Sequence, residues 1–441
     1  MFVIDLEKRP AGNLVATREI ESVFSYRILQ NALLSVLLIA APVLAIEDTL
    51  GEDTIGTTEV LDSRDVASYR EAIAELESSE GAYGQGLQEK LLSLGLSLQQ
   101  QGRHEEAIKT LKRGVHLARI NSGLYSVDQI PLLQTEITSL MARGELLEAD
   151  ERQSYLYRVQ RRGLIQGEVR AQALMQQARW QRRAYDMGVG ELDFPRLLSM
   201  WDLYRLALND VVEEEGETSL ALLVPLNGML EAQYLISAYK GEQSSSYGKN
   251  LSDRYDKSRF NAYRAQSFQK GQAVLGAIDE VHQQNNGEGS VANAESFTRL
   301  GDWMFWHGAR EPAIEIYREA FMELAEAENA QVELQRLFGA PVPLPSFAAV
   351  RPFPETTGSE SANLLLEFGV SERGRVFDLR RLDQPPATDM SNGIDEPQVD
   401  NEAVANRFMR ELRRTRFRPR FENGEPVATE GVIWTYDTTE W

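Results

Sequence analysis

The sequence predicts a mainly α chain of stacked helical hairpins followed by a small α+β module, and three observations carry that prediction. Small residues recur at fixed offsets within helical patterns from about Ala67 to Gly339. A proline-rich stretch ends that region. Beyond it, apolar residues alternate with period two on either side of one amphipathic helix.

At 441 residues the chain exceeds one ordinary core, so more than one folded part is expected. Hydrophobic residues make up 42% of it and the mean hydropathy is −0.36, which fits a soluble globular protein rather than a polytopic membrane protein. A formal net charge of −21 argues against general nucleic-acid binding, because phosphate repels an acidic surface. There is no cysteine, which excludes disulfides, cysteine-ligated zinc, thiol catalysis and a lipidated cysteine together.

Near the start, "ALLSVLLIAAPVLAIEDT" from Ala32 holds an apolar run of about fifteen residues, the length of a signal-peptide core, where a membrane span needs roughly twenty. Arg27 precedes it, and Val43 and Ala45 make a cleavage site before Ile46. Glu47, Asp48, Glu52 and Asp53 follow at once. Residues 1–45 are therefore expected to direct export, with the true start further in, near Val23, or else to remain as a membrane anchor. Residues 46–66 are expected to be a flexible mature N-terminus.

The hairpin region, residues 67–338, opens with "LLSLGLSLQQQGRHEEAIKTLKRGVHLA". Gly95 and Ala107 are small where two antiparallel helices approach, and Leu91, Leu94, Leu98 and Leu111 fill the space between them. Gly102 supplies a left-handed turn residue, and Glu105 and Glu106 lie in the first turn of the second helix, where they complement its dipole. A second copy, "FTRLGDWMFWHGAREPAIEIYREAFMELAE", places Leu300, Gly301, Met304, Gly308, Ala313, Tyr317 and Ala320 at the same offsets, with Pro312 in the first turn of its second helix. Between them Leu133, Leu140, Gly144 and Ala149 repeat the pattern more loosely. This spacing resembles the tetratricopeptide repeat. The interval from Gly102 to Gly144 is longer than the usual repeat of about thirty-four residues, as in the long-repeat variant of that fold. The resemblance implies an α-solenoid whose open surface binds proteins.

From about Gly163 to Gln284 the pattern predicts helical hairpins without the full signature. Gly241 to Tyr263, polar and Ser-rich, reads as a mobile insertion. Trp303, Phe305, Trp306, Tyr317 and Phe321 fall at helical spacing and are expected in the core rather than on a stacking platform. Nothing in the region reads as catalytic. His104, His116, His282 and His307 are scattered, Gly188-Val189-Gly190 follows no strand, and the run "VVEEEGE" reads as a solvated helix face. No enzyme activity, cofactor or metal is expected.

Residues 339–361 carry five prolines and read as a partly extended linker. Residues 362–441 then change periodicity. A strand is expected over about Asn363–Val370, a turn at Glu372-Arg373-Gly374 and a second strand to Leu382. "NEAVANRFMRELRRT" aligns Ala403, Val404, Phe408, Met409 and Leu412 on one helix face. Phe417–Phe421 and Glu425–Tyr436 bracket the turn "ENGE", which completes a β-β-α-β order.

That order is carried by Leu366, Phe368, Gly374, Arg375, Val376 and Asp378, and by Arg416, Phe417, Pro419, Gly424, Pro426 and Val427. Together they resemble the C-terminal domain of the TonB energy-transducer family over about eighty residues. The resemblance implies a periplasmic module that pairs a strand with a short peptide of an outer-membrane protein. It makes Arg416, Phe417, Arg418, Pro419, Val432, Trp434 and Tyr436 the candidate partner-binding residues. Seven arginines between Arg407 and Arg420 could meet an anionic surface such as peptidoglycan, or pair with the acidic solenoid. The removable leader and the solenoid in place of a long spacer depart from that family. The expectation is thus a periplasmic adaptor that binds envelope or outer-membrane proteins and no nucleic acid. The alternative is an inner-membrane-anchored energy transducer.

Overall fold

The computed structural model describes residues 55–190, 193–239, 251–286, 291–327, 329–353, 363–383 and 398–437. The apolar run from Ala32 lies outside them. The chain divides at Arg64, inside helix α1 (Ile55–Glu80), and all further elements belong to the unit from Asp65. Five helical hairpins follow among the described residues. They are α2 (Leu87–Gln100) with α3 (His104–Ser122), α4 (Gln129–Ala142) with α5 (Leu146–Gly163), α6 (Glu168–Asp186) with α7 (Asp193–Glu215), α8 (Leu223–Ala238) with α9 (Leu251–Asn286), and α10 (Val291–Trp306) with α11 (Arg310–Ala325). A shorter helix α12 (Ala330–Phe338) succeeds them.

One turn recurs in four of these hairpins. Gly102, Gly144, Gly188 and Gly308 all adopt positive φ, between 62° and 91°. In each, the next residue's N–H reaches back to a carbonyl five residues earlier: Arg103 to Leu98, Glu145 to Leu140, Val189 to Ala184 and Ala309 to Met304, at 2.9–3.0 Å. This closes the first helix with a Schellman cap and satisfies carbonyls that a helix end would otherwise leave unpaired.

The small residues then set how closely the helices pack. A Cβ at Gly95 would lie 2.6 Å from Leu111, and one at Gly301 would lie 2.4 Å from Tyr317, so the two copies use glycine for the same approach. Gly114 does this between hairpins, against Leu132. Leu98, Ala107, Leu111, Leu133, Leu140 and Ala149 form one continuous core with Val66 and Trp180. Each of the leucines contributes about 2 kcal/mol by leaving water. A second core runs from Ala171 to Trp303 and includes the apolar helix α8. The Ser-rich stretch expected as an insertion is helical from Leu251, because Phe260, Val274, Leu275 and Ile278 bury one face of α9 in this core. Residues 241–250 lie outside the described residues.

The stretch expected as a linker holds strand β1 (Val342–Pro343), which pairs antiparallel with β4 (Phe417–Arg418). Leu344 and Phe353 are buried in two different clusters. Proline content removes donors and stiffens the backbone, but it does not prevent the intervening Leu and Phe from packing. Strands β2 (Leu364–Val370), β3 (Val376–Arg381) and β7 (Thr429–Tyr436) form an antiparallel sheet in the order β3-β2-β7. Helix α13 (Gln398–Arg414) covers one face, packing Ala405, Phe408 and Leu412 on Leu364, Leu366, Phe368 and Tyr436. The β-β-α-β order is present, with the short strands β4, β5 (Arg420–Glu422) and β6 (Glu425–Val427) before the last strand. Asn423 and Gly424 turn β5 into β6 with φ of 50° and 79°, the geometry for which an Asn-Gly pair is favoured.

Candidate interaction surfaces

The first helices of the first three of these hairpins each keep one stripe towards water. On α2 it is Glu89, Leu96 and Gln100, on α4 Gln134 and Thr138, and on α6 Gln172, Gln176, Arg179 and Arg183. Neighbouring first helices are joined by polar contacts beside these stripes. Gln99 of α2 donates to the Thr135 carbonyl at 3.1 Å and to Ser139 at 2.8 Å. Arg182 of α6 pairs with Glu231 of α8 at 2.8 Å, and Arg299 of α10 donates to Asn227 of α8 at 3.3 Å. The stripes are rich in amide and guanidinium donors, chemistry that suits the carbonyls of an extended segment.

The repeat-packing residues predicted from sequence occupy the helix contacts. Leu94, Gly95, Leu98, Ala107, Ala149, Gly301, Ala313, Tyr317 and Ala320 are buried, Leu300 is half-buried, and Gly102, Gly144 and Gly308 form the exposed turns. Trp303, Phe305 and Tyr317 are core residues.

The candidate partner-binding residues are placed differently. Arg416 donates to the carbonyls of Phe305 and Trp306, at 3.1 and 2.7 Å, where α10 ends. A cation there meets the negative end of the helix dipole. Arg418 is 5% exposed and its Nη1 lies 2.9 Å from both carboxylate oxygens of Asp302, itself 1% exposed. The same carboxylate accepts from Tyr317 Oη at 2.7 Å and from Ser346 Oγ. Phe417, Pro419 and Tyr436 are buried, and Val432 and Trp434 are half-buried against the sheet core. These residues are spent on contacts within the chain. They dock the sheet module onto the last hairpin, where Phe421 inserts between Tyr317 and Phe338 with ring centroids 5.4 and 5.3 Å away. Arg318 pairs with Glu425 at 2.7 Å at the rim of this contact.

Sequence reasoning missed the outward face of the last strand. Trp434 and Tyr436 point inward, so period two turns Ile433 outward, and it is 59% exposed on β7. It also missed Asp302 and His307. His307 packs on Trp303, Trp306 and Phe268, and burial, with the nearby Arg416 charge, lowers its pKa to about 4.

No known family's sequence profile matches this chain, and no curated protein matches it. Among solved structures it is similar to the TPR-like repeats of a proposed kinesin light chain from Podosopora anserina, with 14% identity over 55% of this chain and 96% of that one and a TM-score of 0.35. A single-substitution form of those repeats gives 14% identity, 54% and 94% coverage and a TM-score of 0.34. BtubC (BKLC) from P. vanneervenii gives 12% identity, 68% and 96% coverage and a TM-score of 0.34.

Proposed function

We propose that the chain is a protein-interaction scaffold, exported to the periplasm, that engages partners through two surfaces. One is the set of exposed first-helix stripes on α2, α4 and α6. The other is the outer edge of β7, which a partner strand could extend by main-chain pairing in the manner of the TonB-like module it resembles. The observation that carries this reading is the buried Arg418–Asp302 pair, which makes the sheet module an integral part of the last hairpin. Two recognition surfaces on one rigidly connected unit suit a chain that brings partners together. The apolar run at Ala32 and the acidic residues after Ala45 support export.

Site-specific photo-crosslinking in the envelope of a Gram-negative host tests it. Crosslinkers at Gln176 and Ile433 should capture protein partners, while one at Lys109 on the second-helix face should not, and the mature mass should correspond to a start near Ile46. Equal capture at all three positions, or capture at none, refutes the reading.

A further inference from the structure

Between the buried anchors Leu344 and Phe353, the chain crosses the first helices of three successive hairpins. Ser346 Oγ donates to Asp302 on α10. The Phe347 ring stacks on Tyr234 of α8, with centroids 6.1 Å apart and planes inclined by 13°. The Ala349 carbonyl accepts from Arg182 Nη2 of α6 at 3.1 Å. Phe347 and Val350 lie against the α6–α9 core and are only half-buried, and Ala348, Ala349 and Arg351 are exposed. The backbone bond from Val350 N–H to the Phe347 carbonyl, 3.0 Å, is local to the segment. Such a segment meets these helices through side chains and a main-chain carbonyl, as a bound peptide would.

Releasing it strands neither Asp302 nor Arg182, and its cost is the apolar surface uncovered beneath Phe347 and Val350. Asp302 keeps Arg418 and Tyr317 after Ser346 departs, and Arg182 keeps Glu231 and Asp186 after the Ala349 carbonyl departs. The anchors at either end stay in their own clusters. We infer that the face of α6, α8 and α10 is a peptide-binding site occupied in cis by Pro345–Arg351. Its ligand class is a short segment with a hydroxyl residue, then an aromatic, then two small residues in a single 3-10 turn (here Ala348–Val350), and a partner segment of that chemistry displaces the chain's own. This deepens the scaffold reading by naming a ligand, and its test uses the chain's own segment, so failure to find an outside partner leaves it intact.

The probe is a fluorescent synthetic peptide of residues 345–352, PSFAAVRP, titrated against the full chain. A tethered segment acts at an effective concentration of about 1 mM, so for a peptide Kd of about 0.1 mM the wild-type chain should bind the probe about tenfold more weakly than a chain carrying Ser346→Ala and Phe347→Ala. A probe in which the phenylalanine is replaced by alanine should lose binding to both. Equal affinity for wild type and variant, or a folded variant that does not bind, overturns the inference. Should the variant fail to fold, amide exchange in the wild-type chain decides. Exchange at Ala348–Arg351 must rise when millimolar probe is added, and unchanged exchange overturns the inference.

Discussion

Replacing Arg418 by methionine tests the junction between solenoid and sheet module most directly. An exposed ion pair contributes about 0–1 kcal/mol, because water and salt screen it. Arg418 and Asp302 are 5% and 1% exposed, so truncating one strands the other away from water. Breaking such a buried pair costs about 3–5 kcal/mol. Tyr317 and Ser346 still donate to the carboxylate but supply no opposite charge. Arg418→Met should therefore destabilise the chain by several kcal/mol, read from urea unfolding curves followed by tryptophan fluorescence. Adding Asp302→Asn removes the orphaned charge while keeping an acceptor for Tyr317, so the double variant should recover about 2 kcal/mol or more. Amide exchange should quicken first in β2 and β7 and leave α2 and α3 unchanged. A loss below about 1 kcal/mol for Arg418→Met, or strictly additive single changes, refutes the reasoning.

Other outcomes follow from the same geometry. Gly188→Ala should cost about 1 kcal/mol through backbone strain alone, since φ is 62° and no atom lies within 4 Å of the added carbon, whereas Gly301→Ala should cost about 1–3 kcal/mol by pressing on Tyr317; thermal midpoints compare the two. Tyr317→Phe removes a buried hydrogen bond to a carboxylate and should cost about 1.5–3 kcal/mol in urea unfolding. His307 is held neutral with a pKa of about 4, below its ordinary 6.5. The unfolded chain therefore binds the proton first, and stability falls as pH drops from about 6.5 towards 4. Asp279, raised by burial to about 6, acts with the opposite sign, losing stability as pH rises from its ordinary 3.8 towards 6. His307→Asn should flatten the acid side of a midpoint-against-pH curve, and an unchanged curve counts against the assignment.

The hairpins were legible where one local rule fixes both sequence and geometry. Gly102, Gly144 and Gly308 each stand five residues ahead of a buried alanine, and the turn admits little else. Gly188 makes the same turn but reads in sequence only as part of a Gly-Val-Gly fragment, because five residues on stands Asp193 rather than alanine. The strand order of the last eighty or so residues was legible from alternation and from Asn423-Gly424. The destination of the arginines was not. Asp302 lies 116 residues from Arg418 and reads in sequence as an ordinary surface carboxylate on an amphipathic helix, because a contact so distant leaves no local trace. The proline-rich segment failed for a related reason. Composition describes how stiff a segment is, whereas its path across α10, α8 and α6 depends on what those helices offer it.

Phe421 has a consequence of its own. A stack of repeats ends in a greasy facet that a further repeat would cover, and this chain has no sixth hairpin there among the described residues. Helix α12 covers part of that facet, and the aromatic slotted between Tyr317 and Phe338 plugs the rest with a piece of sheet. Repeats severed from their plug would offer the same sticky end on every molecule, inviting head-to-tail pile-up. The terminal sheet is thus the stopper that keeps the array finite.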